Sequence, residues 1–189
     1  NHNDGAEAEV LGVHLEGPFI NPSKKGAQPE QHIITPDIDL FKEWQNEANG
    51  HIRLVTVAPE MENGLEFIRY ITSNGVTASI GHTDSTYQDV KAAVDAGATQ
   101  VTHLYNGMRG LHHREPGTAG AALLFDELRT ELISDGIHIA PEMVELAIKA
   151  KGADGALLVT DAMRAKCMPN GRYDLGGQMV NVTDTTATL

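Results

Sequence analysis

VLGVHLEGPFI (Val10–Ile20) is an apolar run that stops at a carboxylate. Val10, Leu11, Val13 and Leu15 read as a buried strand. Gly17 and Pro18, directly after Glu16, can neither extend that strand nor begin an ordinary helix. A charged side chain at the end of a buried element is costly unless it is paired or bound to a metal. Glu16 therefore needs a partner elsewhere in the chain.

The pattern recurs along the sequence. Strand-like runs VLGVHL (10–15), HIRLVTVA (51–58), GVTASIG (75–81), TQVTHL (99–104), LRTELISD (128–135) and GALLVTD (155–161) alternate with helical patterns. The helices are expected over Asp39–Asn49, Asn63–Asn74, Ser85–Ala96 and Pro141–Lys151. Leu65, Ile68 and Ile71 give the second an apolar face, Thr83-Asp84-Ser85 offers N-caps for the third, and Pro141-Glu142 opens the fourth before Gly152 ends it. Repeated β-then-α units imply parallel strands with right-handed crossovers. The strands are apolar nearly throughout, as expected when helices cover both sides.

What differs is how each strand exits. Glu16, His82, His103, Asp135 with His138, and Asp161 each follow a strand, and Glu60 in VAPE lies near the end of the sixth. Ionisable groups at the C-terminal ends of several parallel strands are how a (β/α)8 TIM barrel builds its active site. A doubly wound sheet concentrates its site at one crevice instead. The expected fold is thus α/β, a (β/α)8 TIM barrel, over one catalytic domain spanning 1–189. About six βα units do not close a barrel that typically takes about 250 residues, so strands are expected to be missing at both ends. The start at Asn1 and the stop in TTATL fit a portion of a longer polypeptide. The tail, 168–189, is rich in Gly, Asn and Thr, and reads as a rim hairpin or the start of another sheet.

Composition bounds the partners. With 41% hydrophobic and 21% charged residues the chain has the balance of a soluble globular protein. A net charge of −12 argues against nucleic acid, and no apolar run approaches a membrane span. The single cysteine, Cys167, excludes an internal disulfide framework and fits a reducing cytoplasm.

His82 and His103 end strands twenty-one residues apart, about one βα unit, which in a barrel puts both imidazoles on one rim. With Glu16 they form a set suited to a divalent transition metal; zinc fits, and iron, manganese and cobalt are also accepted. Such a site can activate water and polarise a carbonyl. Taken singly, each residue has an ordinary structural reading; three at equivalent topological positions make the metal reading the better one. Asp161 is placed as a general base that later hands its proton to a leaving amine, against the alternatives of an N-cap or an ion pair. Asp135, followed by Gly136, reads as a turn residue. His14 shares the face of Glu16 one layer deeper, as a supporting residue. The long loop Asn106–Gly117 carries Arg109, His112, His113 and Arg114, a basic cluster suited to an anion such as phosphate, against the alternative of a solvated loop whose arginines pair with surface acids; Lys24 and Lys25 either add charge there or are ordinary solvated lysines. No GxxxxGK[ST] or GxGxxG motif supports a nucleotide.

HLEGPFINPSKKGA, GHTDSTY, THLYNGMRGLHHREPG, SDGIHI and LVTDAM, in this order, closely resemble the N-acetylglucosamine-6-phosphate deacetylase family of the amidohydrolase superfamily. The resemblance implies a metal-dependent (β/α)8 barrel with a small β-sandwich, cleaving the sugar acetamide to glucosamine 6-phosphate and acetate. It implies Glu16, His82 and His103 as metal ligands and Asp161 as general base and acid. Asn106 and Gly107 would hold the sugar phosphate, Arg114 would reach phosphate across a homodimer interface, and His138 would contact the substrate near the scissile amide. Gln28 stands where many members carry a substrate-binding histidine, and the early HxH pair of some members is absent, which leaves one or two ions open. Rival readings are an amidohydrolase acting on another amide, or a non-catalytic sugar-phosphate-binding fragment.

Overall fold

The computed structural model describes residues 8–184 and 186–188; residues 1–7 and, from the TTATL stretch, Thr185 and Leu189 lie outside the described residues. Six parallel strands form one sheet: β1 (Val13–Glu16), β2 (Ile52–Val57), β3 (Thr77–Ile80), β4 (Gln100–Val101), β5 (Arg129–Leu132) and β6 (Ala156–Leu158). Their spatial order is their chain order. A doubly wound sheet must reverse its strand order at a switch point; this one never does. Right-handed crossovers in one unbroken direction put every connecting helix on the same face. The result is a curled half-barrel.

The two faces follow from the register. Glu16, Thr56, Ser79 and Gln100 are aligned across β1–β4 on the inner face, while Val55 and Ala78, and Val57, Ile80 and Val101, are aligned on the outer one. The outer face packs against α1 (Ile38–Glu47), α2 (Gly64–Ser73), α3 (Tyr87–Asp95), α4 (Gly117–Leu124) and α5 (Pro141–Gly155), whose Phe41, Phe67, Ile68, Ile71, Val90 and Ala121 share its core. The inner face is polar, contrary to the expectation of strands apolar on both sides. It carries a hydrogen-bonded row from His14 Nε2 to Thr56 Oγ1 (2.8 Å), on to Thr102 Oγ1 (2.7 Å) and Ser79 Oγ (2.7 Å). Thr56 and Ser79 are fully buried although no helix covers them, because the sheet curls around them. His14 holds this supporting row one layer below Glu16, as the strand period requires.

The opening stretch is buried on the other side of its glutamate from where the apolar pattern suggests. Val10, Leu11 and Val13 are 59%, 74% and 47% exposed, because β1 is an edge strand that pairs only with β2 among the described residues. Phe19 and Ile20, after the Gly-Pro turn, are fully buried. Phe19 packs on Phe67 at 4.7 Å between ring centroids, and its carbonyl accepts from Ala58 N at 3.0 Å. Glu16 is thus fixed from its C-terminal side.

One further expectation is corrected, one helix is added, and the tail is resolved. The cap of α3 is Thr86, in a capping box with Asp89, and not the Thr83-Asp84-Ser85 triplet. Gly117–Leu124 is a helix with no polar face to give it a period in the sequence, and it is buried from Gly117 through Ala122. Of the two readings of the tail, a rim hairpin or the start of another sheet, the fold takes the second form: β7 (Gly171–Leu175), β8 (Gln178–Val182) and β9 (Ala187–Thr188) make a separate three-stranded antiparallel sheet. Its β7–β8 turn reaches back to the loop after β1, where Gln178 Nε2 donates to the carbonyl of Ala27.

Candidate metal centre and its rim

Three strand exits converge. Glu16 Oε1 lies 2.7 Å from His82 Nε2 and 3.1 Å from His103 Nε2, and the two imidazole nitrogens are 3.1 Å apart. The rings meet edge to face, at 86°. His82 (φ +46°) and His103 (φ +30°) both occupy the left-handed region, a strained backbone that is held only where the surroundings over-determine it. Each takes that conformation two residues past its strand, which swings the ring over the inner face.

The donor set decides what can sit among these atoms. His82 Nδ1 is 2.7 Å from the carbonyl of Lys24, and a carbonyl only accepts, so Nδ1 carries the proton. A neutral His82 then aims its Nε2 lone pair at a carboxylate oxygen and at a second imidazole. Such an arrangement is repulsive unless a proton or a cation lies within it. Ligand atoms around a tetrahedral zinc at 2.0–2.2 Å stand about 3.3 Å from one another, close to the separations seen. Backbone support for the far nitrogen of a ligating histidine is a usual feature of metal sites, and Lys24 supplies it for His82. His103 Nδ1 is buried with no hydrogen-bond partner among the described residues. Among those residues, Glu16, His82 and His103 are the one histidine–carboxylate group whose ligand atoms converge in this way.

Electrostatics agree. Burial alone would raise the Glu16 carboxyl, but hydrogen bonds and charge from His103 and His82 prevail and hold it well below the usual carboxylate range. For His103, burial opposes protonation, while Glu16, with a smaller contribution from the charge of Asp161, pushes its pKa up. The site attracts positive charge.

No family model matches the chain. Among curated proteins it is 51% identical over 183 residues to the N-acetylglucosamine-6-phosphate deacetylase of Lysinibacillus sphaericus, covering 97% of this chain and 47% of that protein. Its identity to the Bacillus subtilis deacetylase of the same name is 50% over 182 residues, with 96% and 46% covered. The solved N-acetyl-D-glucosamine-6-phosphate deacetylase of Mycobacterium smegmatis, in complex with N-acetyl-D-glucosamine-6-phosphate, superposes with a TM-score of 0.92 at 37% identity, over 94% of this chain and 47% of that one. The chain is a homologue of the N-acetylglucosamine-6-phosphate deacetylases. It spans about half the length of the curated relatives it matches. An N-acetylgalactosamine-6-phosphate deacetylase of Escherichia coli O157:H7 is 41% identical over 178 residues, so the sugar epimer is not fixed by similarity alone.

The other residues that the deacetylase resemblance singles out are scattered around this centre. Asp161 (φ +48°) is exposed on the rim after β6 and lines a cleft of about 640 Å³ with Asp135, His138, Ile137 and Met163. His138 Nδ1 bonds Asp135 Oδ2 at 2.7 Å, and Asp135 Oδ1 accepts from the backbone N–H of Ile137 and of His138. Asp135 is thus the turn residue expected, and the bond to Nδ1 leaves His138 Nε2 for other partners. Gln28 folds its side chain over Gly17, against the turn that follows Glu16. Asn106 donates its amide to the carbonyl of Leu104 at 3.2 Å. Gly107 (φ +56°) lies against His82: a Cβ there would stand 3.2 Å from His82 Nδ1 and 3.4 Å from the Lys24 carbonyl.

The basic cluster does not hold together as one anion site. Arg109 donates through Nε and Nη2 to Asp84, at 3.3 and 2.6 Å, Lys24 joins the same carboxylate at 3.2 Å, and Lys25 pairs with Glu30 at 2.9 Å. These cations are spent on neighbouring acids. Arg114 is exposed in the loop beside His112 and His113, whose rings lie 4.2 Å apart and tilted by 40°. Sequence reasoning missed Asp84 as the acid that collects two of the cations, and the carbonyl of Lys24 as support for His82. The first was visible as an acid inside GHTD; the second is a backbone atom, which sequence does not reveal.

Proposed function

We propose that the chain carries the metal-binding half of a deacetylase site that hydrolyses the acetamide of N-acetylglucosamine 6-phosphate to glucosamine 6-phosphate and acetate, within a complete (β/α)8 barrel. The convergence of Glu16, His82 and His103, in a chain half-identical to proteins of that name, carries the reading. Exposed Leu157 and Leu158 on β6, and Val10, Leu11 and Val13 at β1, are apolar edges of the kind further barrel strands would cover.

Glu16, His82 and His103 would hold one divalent ion, with zinc suited to two imidazoles and a carboxylate. When bound, that ion supplies a lowered water pKa and polarisation of the acetyl carbonyl. The chain's own residues do the rest. Asp161 takes the proton of the attacking water and returns it to the leaving amine; its exposed carboxylate faces the cleft, and its charge already acts on His103. His138, fixed by Asp135 through Nδ1, offers Nε2 to the amide oxygen or a sugar hydroxyl. Asn106 and Gly107 border the sugar phosphate beside His82, Gln28 closes the β1 side, and Arg114 reaches the phosphate of a second copy in a homodimer. Its exposure in the loop, with Arg109 and Lys24 but not Arg114 paired to Asp84, supports that last role.

Acetate release from N-acetylglucosamine 6-phosphate, its unphosphorylated sugar and N-acetylgalactosamine 6-phosphate, each with and without chelator, tests the reading. The expected result is turnover of the first that needs metal and falls at least tenfold without the phosphate. Equal turnover of the unphosphorylated sugar, or preference for the galacto epimer, would overturn the substrate assignment. Turnover indifferent to chelator would overturn the metal.

A further inference from the structure

Glu60 is the one strand-exit carboxylate that the reading above leaves without a role. It follows β2 in VAPE and stands apart from the Glu16–His82–His103 group. Both of its oxygens are occupied. Oε1 accepts from Asn21 Nδ2 at 2.9 Å and from the backbone N–H of Asp84 at 2.7 Å. Oε2 accepts from Ser85 Oγ at 2.7 Å and from Thr83 Oγ1. A carboxylate with all its lone-pair directions filled by donors is a poor metal ligand and a strong structural tie, because charge-assisted hydrogen bonds are about twice as strong as neutral ones.

What it ties is the frame around His82. On one side it grips Thr83, Asp84 and Ser85, the residues directly after His82, which must be held if the ring is to stay at φ +46°. On the other it grips Asn21, whose backbone N–H donates to the carbonyl of His82 at 2.9 Å and whose Oδ1 accepts from Ser23 N and Ser23 Oγ. Asn21 thereby caps the short turn Pro22–Lys24, and the carbonyl at the end of that turn takes the His82 Nδ1 proton. Thr83 also pairs with the next loop: its N–H donates to the carbonyl of Gly107, and its carbonyl accepts from Arg109 N. The segments after β1 and β3 meet at the side chain of Glu60, just past β2, and the loop after β4 joins them through the backbone of Thr83.

We propose that Glu60 is a positioning residue for the metal centre, fixing the direction and tautomer of His82 through Asn21 and the 83–85 backbone without touching the metal or the substrate. The proposal rests on the metal reading of Glu16, His82 and His103. It differs from a general stabilising role in a measurable way: loosening this tie should weaken metal binding even where the metal-free fold survives.

The test is zinc affinity by chelator competition, with the visible spectrum of the cobalt-loaded protein as a report on ligand geometry, for the purified protein and four variants. Glu60→Ala should bind zinc about 10–100-fold more weakly, the range for lost outer-shell support, and its cobalt spectrum should change in shape and intensity. Asn21→Asp keeps the oxygen that caps Pro22–Lys24 but places a carboxylate against Glu60, and should weaken zinc binding in the same direction. The double variant Asn21→Asp/Glu60→Gln restores the pair to residue 21 with the roles exchanged but turns an amide NH2 toward the backbone N–H of Asp84, and should recover part of the affinity lost in Asn21→Asp. Glu16→Gln is the control for the metal reading. Unchanged metal content in Glu16→Gln would sink that reading itself. Loss of metal in Glu16→Gln, with Asn21→Asp within twofold of the parent and an unaltered cobalt spectrum, would overturn the positioning role alone. Should Glu60→Ala fail to fold, Asn21→Asp and the double variant decide the question.

Discussion

The rim of the half-barrel has two unlike sides. Around β1, β3 and β4, the side chains of His82 and His103 are almost completely buried, and Glu16 is mostly so. His82 is held at both its Nδ1 and its backbone carbonyl. Across the mouth, after β5 and β6, Asp135, His138 and Asp161 are all exposed, and the cleft between them is partly walled by the short antiparallel sheet. On the proposed reading, one side holds an ion in a fixed place. The other presents an acid and an imidazole to something that arrives. The contrast predicts that metal binding and proton transfer separate cleanly under mutation.

The largest effect should show that separation directly. Asp161→Asn is expected to keep zinc content at the parent level while lowering turnover by about 10²–10⁴-fold, the usual weight of a lost general acid–base. Metal analysis and steady-state rates on the same preparation check it. Near-normal turnover would remove Asp161 from its role, and loss of zinc would mean that the two sides are not independent.

A smaller effect probes how tightly the holding side is packed. Gly107→Ala introduces a Cβ 3.2 Å from His82 Nδ1 at a position with φ +56°. The left-handed conformation costs a side chain about 1–2 kcal/mol, and the added carbon presses on the bond from Nδ1 to the Lys24 carbonyl. Zinc affinity should fall roughly tenfold, on the order of the loss of an outer-shell contact. The same exchange at Gly136, which also has positive φ but meets nothing within 4 Å, should leave zinc affinity unchanged. Equal losses at both positions would point to backbone strain alone and not to contact with His82.

How far the sequence reveals each side follows from what builds it. Glu16, His82 and His103 are legible because parallel strands put their exits on one rim, and topology does the converging. The half-barrel itself is legible for the same reason, as regular alternation. The apolar run before Glu16 misleads, because Val10 and Leu11 look like core residues while their burial depends on neighbours that an edge strand lacks. Gly117–Leu124 is hidden by its own burial: a helix apolar all round has no period to read. The basic loop overstates itself, since Arg109 and Lys24 meet Asp84 from segments far apart in sequence. Glu60 shows only as a polar exit; its four donors come from residues 21 and 83–85, and no spacing rule links them.

The smallest effect concerns acid. The backbone N–H of His138, then its imidazole, then the N–H of Ile137 hold the Asp135 carboxyl down to about 2 from an ordinary value of 3.8. A carboxyl lowered in the folded state adds stability that is fully present above its unfolded value and fades as pH falls through the folded one. The turn at 135–138 should therefore stay intact at pH 5 and loosen between about pH 4 and pH 2, seen as growing hydrogen exchange and shifted resonances of the Ile137 and His138 amides. Because Asp135 is exposed, solvent screens the gain, and the change should stay local to the turn. Glu16, buried and held by two imidazoles, should keep its charge over the same range, so the open side of the rim loosens while the holding side does not. Amides at 137 and 138 that respond no more than those of Thr83 and Asp84 would erase the contrast between the two sides.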